Sequence, residues 1–303
     1  MDNRTPDSIV FFGSGPVAAK SLDYLAENFT VEAVITKPRS AHHHGAVPVL
    51  ETAERLSLPV FTVTDKQSLN ELFASQPVKS DLAVLIDFGI IISQATIDYF
   101  PLGIINSHFS ILPDLRGADP ISFAILSGQD TTGVSLMLLV EAMDEGPLLG
   151  YGEHALDGAE TTPQLTENLI DLSNALLHDL LPKYRHDQMV MPQTITNRAV
   201  SYSRKLTKAD GLIDWHQPAL KLEREIRAFI EWPKSRTQLA GKDVVITKAT
   251  VINRHGAAGT VLIEDKLLVV LCGEQALQID NLKPAGKAEM TAAAFLAGYG
   301  NLL

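Results

Sequence analysis

Asn106-Ser107-His108-Phe109-Ser110-Ile111-Leu112-Pro113 is the stretch whose reading decides the fold, because an apolar run, Leu102 to Ile105, leads straight into polar residues. A short apolar run bounded in this way reads as a buried strand. Side chains alternate between the two faces of a strand, so Asn106 and His108 project together at its end. A second apolar run, Val134 to Val140, is followed by Met143-Asp144-Glu145-Gly146. An amide, an imidazole and a carboxylate closing two core strands suit transfer of an acyl group to an amine. The amide and a protonated imidazole stabilise a developing oxyanion. The carboxylate favours the charged imidazole and can relay the proton that the attacking amine loses. No Ser or Cys nucleophile is needed when the amine attacks directly. The competing reading is a structural polar cluster.

The surrounding pattern places these strands in an α/β fold. Ser8 to Phe12, Val31 to Thr36, Val60 to Val63, Leu82 to Ile86 and Leu102 to Ser107 read as strands. Helical patterns lie between them at Pro16 to Asn28, Val47 to Arg55 and Leu69 to Ala74. Such alternation implies a mainly parallel, Rossmann-like sheet with helical crossovers. Thr161-Thr162-Pro163 opens a long amphipathic helix to about Tyr184. The polar segment from Arg185 to Ser203 reads as a linker. A helix over Ala219 to Phe229 follows, then short β-branched runs at Val244 to Ile246, Gly259 to Ile263, Leu267 to Leu271 and Ala276 to Ile279. Closely spaced short strands suggest a small barrel. The expected division is residues 1–185, a linker over 186–203, and 204–303.

Composition bounds the function. The 303 residues are 46% hydrophobic and 20% charged, which is globular. No apolar run approaches the ~20 residues of a membrane span, and the N-terminus lacks a basic region before an apolar stretch. A single cysteine, Cys272, excludes an intrachain disulfide and fits a reducing cytoplasm. The net charge of −11 conceals an asymmetry: residues 1–203 carry 11 Lys+Arg against 25 Asp+Glu, while residues 204–303 carry 14 against 11. The difference in sign suggests a basic face on the second domain.

Two further motifs are weighed and set aside. Gly13-Ser14-Gly15-Pro16-Val17-Ala18 has the outline of a dinucleotide fingerprint. The acidic residue which that fingerprint wants at the end of the second strand is absent; Thr36-Lys37-Pro38 stands there instead. A tight strand-to-helix turn is the better reading, with amide groups that could still face an anion. His42-His43-His44 invites a metal, but adjacent histidines do not easily share a tetrahedral ion and nothing nearby completes a set. An exposed loop and no metal are expected.

At this point the motifs themselves resemble a known family. NSHFSILPDLRGADP (106–120) and MDEGPLLG (143–150) are similar to the two signature segments of folate-dependent formyltransferases. RKLTKADGLIDW (204–215), LEREIRAFIEWPKS (222–235) and LKPAGKAEMTAAAFLAG (282–298) resemble the C-terminal domain of the methionyl-tRNA formyltransferase branch. The resemblance implies a Rossmann-like catalytic domain followed by a small open barrel of oligonucleotide-binding type. It implies transfer of the formyl group of 10-formyltetrahydrofolate, a co-substrate, to the amino group of methionyl initiator tRNA. By that match Asn106 and His108 polarise the formyl oxygen, and Asp144 orients His108 and assists proton transfer. Ser110, Ile111, Leu112 and Pro113 match a folate-binding loop, and Asp87, Phe88, Gly89, Ile90 and Ile91 match the loop around the pterin.

Three departures weaken the expected grip on tRNA near the site. The loop after the second strand, KPRSAHHHGAVPV, holds only Lys37 and Arg39 as dependable charges, and acidic residues stand at Asp114 and Asp119. Phosphate contacts are then expected from Lys37, Arg39, Arg116, Lys205, Lys208, Arg224, Arg227, Lys234 and Arg236. A cytoplasmic monomer without membrane contact is the accompanying expectation. The alternatives are the same chemistry on an amino-sugar nucleotide, favoured by the acidic departures, and a tRNA-binding module with an inactive first domain.

Overall fold

The structure, a computed structural model, describes residues 8–39 and 47–302. The His42-His43-His44 loop lies outside the described residues. Two compact units divide the chain: one holds the residues up to Gly117 with Thr131–His154 and Thr166–Tyr202, the other Ala118–Asp130, Ala155–Leu165 and Ser203 onward. This differs from the linear division expected from sequence. Two segments before residue 185 belong with the C-terminal part: the first carries a helix that packs on α7 (Ala219–Ala228), and the second is tied to α7 by hydrogen bonds from Arg227 to the Glu160 carbonyl and from Thr162 to the Ala228 carbonyl.

The first unit is built on β1 (Ser8–Gly13), β2 (Thr30–Thr36), β3 (Val60–Thr62), β4 (Ala83–Ile86) and β5 (Ile104–His108). Helices α1 (Pro16–Asn28), α2 (Pro48–Arg55), α3 (Lys66–Ala74) and α4 (Gln94–Asp98) connect them. The two-residue strand β6 (Arg116–Gly117) and helix α5 (Pro120–Ser127) precede β7 (Thr131–Leu138) and β8 (Leu148–Ala155), and α6 spans Thr162–Asp187. The sheet runs β3-β2-β1-β4-β5-β7-β8. Its first five strands are parallel, and β7 runs antiparallel to β5.

Every residue of β1 is buried, as expected of a strand covered on both faces. Phe12, Phe73, Phe88 and Phe100 interlock beside it, with ring centroids 5.4–6.0 Å from Phe12. Truncating such a ring typically costs about 3–5 kcal/mol. Pro16 suits the first turn of α1, whose inner face buries Leu22 and Leu25. Asp65 caps α3 by accepting from the Ser68 amide at 2.8 Å. Ser107, on the opposite face of β5 from Asn106 and His108, meets Ser173 of α6 at 2.7 Å, which fixes the alternation.

The second unit carries α7 (Ala219–Ala228), β10 (Ser235–Leu239), β11 (Lys242–Ile252), β12 (Val261–Glu264), β13 (Leu267–Leu271), β14 (Ala276–Pro284), β15 (Met290–Thr291) and α8 (Ala292–Tyr299), after the short strand β9 (Tyr202–Ser203). Its antiparallel sheet runs β10-β11-β14-β13-β12, with β15 on β14. Among the described residues β10 and β12 do not pair, so the sheet stays open. Leu222 and Ile226 of α7, Phe295 of α8 and the inward residues Val244, Ile246, Leu268, Val270, Leu277 and Ile279 form one core. Cys272 belongs to it, and burial pushes its thiol pKa up to about 11.

α5 also belongs to this unit, and the reading of the sequence had no element there. Its C-cap Gly128 sits at φ 67°, and a Cβ at that position would fall 2.0 Å from the Arg224 guanidinium carbon. The left-handed conformation favours glycine, and a side chain there would also displace the Arg224 guanidinium. Asp119 caps the start of α5 from a left-handed conformation, and its Oδ2 accepts from the Leu206 amide at 2.8 Å.

Candidate active site

β5 delivers Asn106 and His108 to the carboxyl edge of the sheet, where open α/β folds place their sites. Leu85 of β4 pairs with Asn106, so the loop after β4, residues 87–91, emerges beside the same strand end. On the other side His108 pairs with Ser135 of β7. All five residues of β5 are buried.

The sequence reading placed Asp144 at the close of a strand. β7 instead ends at Leu138, and Asp144 occupies a loop in the left-handed region at φ 54°. The loop still brings it to His108: Asp144 Oδ1 lies 3.8 Å from His108 Nδ1, and both side chains are buried. Asp144 Oδ2 accepts from the Gly117 amide at 2.7 Å. The other imidazole nitrogen, Nε2, is 2.9 Å from the Leu115 carbonyl and donates to it. Gly146 lets the loop turn against β7, since a Cβ there would sit 1.7 Å from the Leu138 carbonyl oxygen. Asn106 shares the face of His108 and is itself buried, at 8% exposure.

The expected linker is instead part of the site's support. Met191 pairs with Leu148. Gln193 Nε2 donates to the carbonyls of Asp144 and Gly146, at 2.7 and 2.9 Å. Gln193 Oε1 accepts from Arg116 at 2.7 Å, and Arg116 also pairs with Glu145 at 2.9 Å. Arg116, expected on the tRNA surface, thus has a side chain only 12% exposed and is spent on the loop carrying Asp144. Thr196 donates to the Leu112 carbonyl at 2.8 Å, and Ser201 Oγ accepts from the Leu115 amide at 2.8 Å and donates to Asp114. Both acidic departures, Asp114 and Asp119, are therefore engaged by the chain's own donors. No local pattern in Gln193, Thr196 or Ser201 marks them in the sequence, because their partners are distant along the chain.

The two loops expected around the co-substrate differ in character. Ser110, Ile111, Leu112 and Pro113 are all buried, and Ser135 Oγ ties the first part by donating to the Ser110 carbonyl and accepting from the Leu112 amide. In the other loop Phe88 is held in the core, Ile90 is half-buried, and Asp87, Gly89 and Ile91 face outward, Ile91 at 70% exposure. The Gly13-Ser14-Gly15 turn docks on it. The Ser14 amide donates to the Asp87 carbonyl at 3.0 Å, and a Cβ on Gly15 would lie 1.8 Å from an Asp87 carboxylate oxygen. A carboxylate of the chain itself thus sits against the start of α1. Lys37 donates to the Gly89 carbonyl at 3.2 Å, and Arg39 pairs with Glu51.

In the second unit Lys205 and Lys208 are exposed. Arg224 and Arg227 share a cleft of about 260 Å³, but Asp130, Asp157, Glu160 and Glu223 line it too, and Arg227 is held by Glu223. Lys234 and Arg236 come together with Lys283 along an open groove of about 840 Å³ that also holds Asp243 and Glu289. Lys283, which stands inside the closing LKPAGK segment, was not among the cations expected there. Among the described residues no helix is long and apolar enough to cross a membrane.

Comparisons with known proteins agree with this architecture. Residues 8–181 match the family Formyl transferase, and residues 205–300 match Formyl transferase, C-terminal domain. The chain is 33% identical over 298 residues to a methionyl-tRNA formyltransferase of Magnetococcus marinus, covering 96% of this chain and 95% of the relative. It is 35% identical to the methionyl-tRNA formyltransferase of Thiobacillus denitrificans, covering 96% of both. Among solved structures, an N-formyltransferase from Helicobacter canadensis, in complex with folinic acid and dTDP-3-aminofucose, shares the fold with a TM-score of 0.67 at 18% identity, over 89% of this chain and 98% of that one. HypX from Aquifex aeolicus with tetrahydrofolic acid has a TM-score of 0.63 at 17% identity, over 97% of this chain and 48% of that one.

Proposed function

This chain belongs to the formyl transferase family, and on that premise we propose that it transfers the formyl group of 10-formyltetrahydrofolate to the amino group of methionyl initiator tRNA, in support of translation initiation. The observation that carries the proposal is likeness to methionyl-tRNA formyltransferases along nearly the whole length of both chains, second unit included. The His108–Asp144 pair at the sheet edge supports the chemistry.

The residues present fit the formyl donor. Asp87 to Ile91 offer an exposed backbone around a glycine, with Phe88 anchoring the loop in the core, which suits a flat heterocycle with polar edges. Ser110 to Pro113 act from behind, as the rigid wall that holds the end of β5.

The neutral methionyl nitrogen attacks the formyl carbon, and the carbonyl electrons move onto oxygen. Asn106 donates its amide N–H to that oxygen, and protonated His108 adds positive charge beside it. Asp144 steadies the imidazolium and accepts the proton released by the new C–N bond. The bond to the donor nitrogen then breaks, and that nitrogen takes up a proton. Lys205, Lys208, Lys234, Arg236 and Lys283 supply phosphate contacts on the second unit, with Arg224 as a further cation. Lys37 and Arg39 serve near the loop of the first unit. Arg116 acts within the site.

The deciding experiment is mass spectrometry of methionyl initiator tRNA after incubation with the enzyme and 10-formyltetrahydrofolate. An added mass of one formyl group on the methionyl nitrogen is expected. Formylation of an amino-sugar nucleotide with none on tRNA would overturn the proposal.

A further inference from the structure

Asp144 lies in the left-handed region at φ 54°, which aspartate tolerates better than most residues, and its loop is held by hydrogen bonds from outside it. The hold comes mainly from one buried amide. Gln193 spans the carbonyls of Asp144 and Gly146 with its two N–H groups, straddling Glu145, while its oxygen takes a hydrogen bond from Arg116. Arg116 closes the circuit through Glu145. Without the amide, two loop carbonyls lose their donor in a buried setting, and a shift of the loop is the cheapest relief.

We propose that Gln193 is a positioning residue for the transfer reaction, holding the Asp144 carboxylate in register with His108. This rests on the proposed formyl transfer. Gln193 touches neither substrate in this scheme and acts only through Asp144. The distance it controls is sensitive: at 3.8 Å the His108–Asp144 pair is already longer than a hydrogen bond, and further displacement of about 1 Å takes the carboxylate out of use. Misplacement on that scale costs on the order of a hundredfold in rate.

The test compares the full-length enzyme with Gln193→Met, which keeps length and loses the donors, and with Gln193→Glu, which keeps an acceptor toward Arg116. Single-turnover kcat and KM are measured for transfer to methionyl-tRNA, alone and in an Asp144→Ala background, with thermal melts alongside. The expected result is a kcat lowered roughly ten- to a hundredfold with KM for either substrate changed less than about threefold. In the Asp144→Ala background the same change should cost less than about twofold, because its route of action is already gone. If the Met variant melts early, the Glu variant is read in the same way. A folded variant with wild-type kcat, or an equal loss in both backgrounds, overturns the role of Gln193. A wild-type enzyme inert toward methionyl-tRNA overturns the transfer reading itself, which is a distinguishable result.

Discussion

His108 offers its two ring nitrogens to different neighbours: Nε2 is bound to the Leu115 carbonyl at 2.9 Å, while Nδ1 faces Asp144 Oδ1 across 3.8 Å. A carbonyl only accepts, so Nε2 keeps its hydrogen in both protonation states. The proton that comes and goes is therefore the one on Nδ1, beside the carboxylate. Their separation leaves room for the pair to tighten when a substrate enters, as catalytic contacts often do.

His108→Ala should lower kcat by about two orders of magnitude or more, as loss of an acid-base and oxyanion group does, with tRNA binding unchanged. Turnover and filter binding measured together test this; a mutant with wild-type turnover refutes the mechanism.

Asp144→Asn keeps an acceptor for the Gly117 amide and removes the negative charge. The fold should survive, and kcat should drop by about a hundredfold at neutral pH. A pH–rate profile superimposable on wild type would count against the assignment.

Gly146→Ala places a methyl group 1.7 Å from the Leu138 carbonyl oxygen, which is backbone and cannot swing away. The loop must move, so both Tm and kcat should fall, with a stability loss of about 2 kcal/mol or more from strain of this kind. Denaturant melts and kinetics on the same preparation check it; an unaltered kcat would show that the loop position is not critical.

Lys234→Glu with Lys283→Glu reverses two charges on one groove. Affinity for tRNA should fall at least about tenfold, and the salt slope of log affinity should shrink by about one to two, roughly one for each phosphate no longer neutralised. Arg227→Glu is expected to act differently, lowering Tm because Arg227 is committed to Glu223 and to the Glu160 carbonyl. Equal slopes for wild type and the double variant would remove the groove from the tRNA surface.

Glu225 is pushed above its ordinary carboxylate pKa, chiefly by burial. A raised folded pKa stabilises the protein fully below the unfolded value of about 4.3, and that stabilisation is lost as pH rises through the folded value. Glu225→Gln should therefore raise Tm at pH 8 and match wild type near pH 4. A lower Tm at pH 8 would show that the ion pair with Lys221 outweighs burial.

What was legible in the sequence follows from the range of the interactions involved. β5 and its Asn106 and His108 could be read because alternation is local. The GSG turn was set apart from a dinucleotide site by its missing acidic partner, while the placing of Asp87 against Gly15 depends on a loop about 70 residues later and was not foreseeable. Asp144 was found by motif but misplaced, because the chain leaves β7 early and turns back through Gly146. Gln193, Thr196 and Ser201 escaped notice because these partners lie 47 to 87 residues away. α5 was missed because its apolar run is short and is stabilised by α7, about a hundred positions later in the chain.

The interleaved makeup of the second unit reaches beyond catalysis. While the polypeptide is still being synthesised, α5 has left the ribosome long before α7 exists to cover it. Its Ala124 and Ile125, buried in the finished protein, must wait in water or on a chaperone until the last third of the message has been translated. For the same reason, a gene cut at codon 203 and spliced to a relative's tail transplants only part of a structural unit. The chimera would have to reconcile a foreign α7 with the native arginine-sized niche at Gly128.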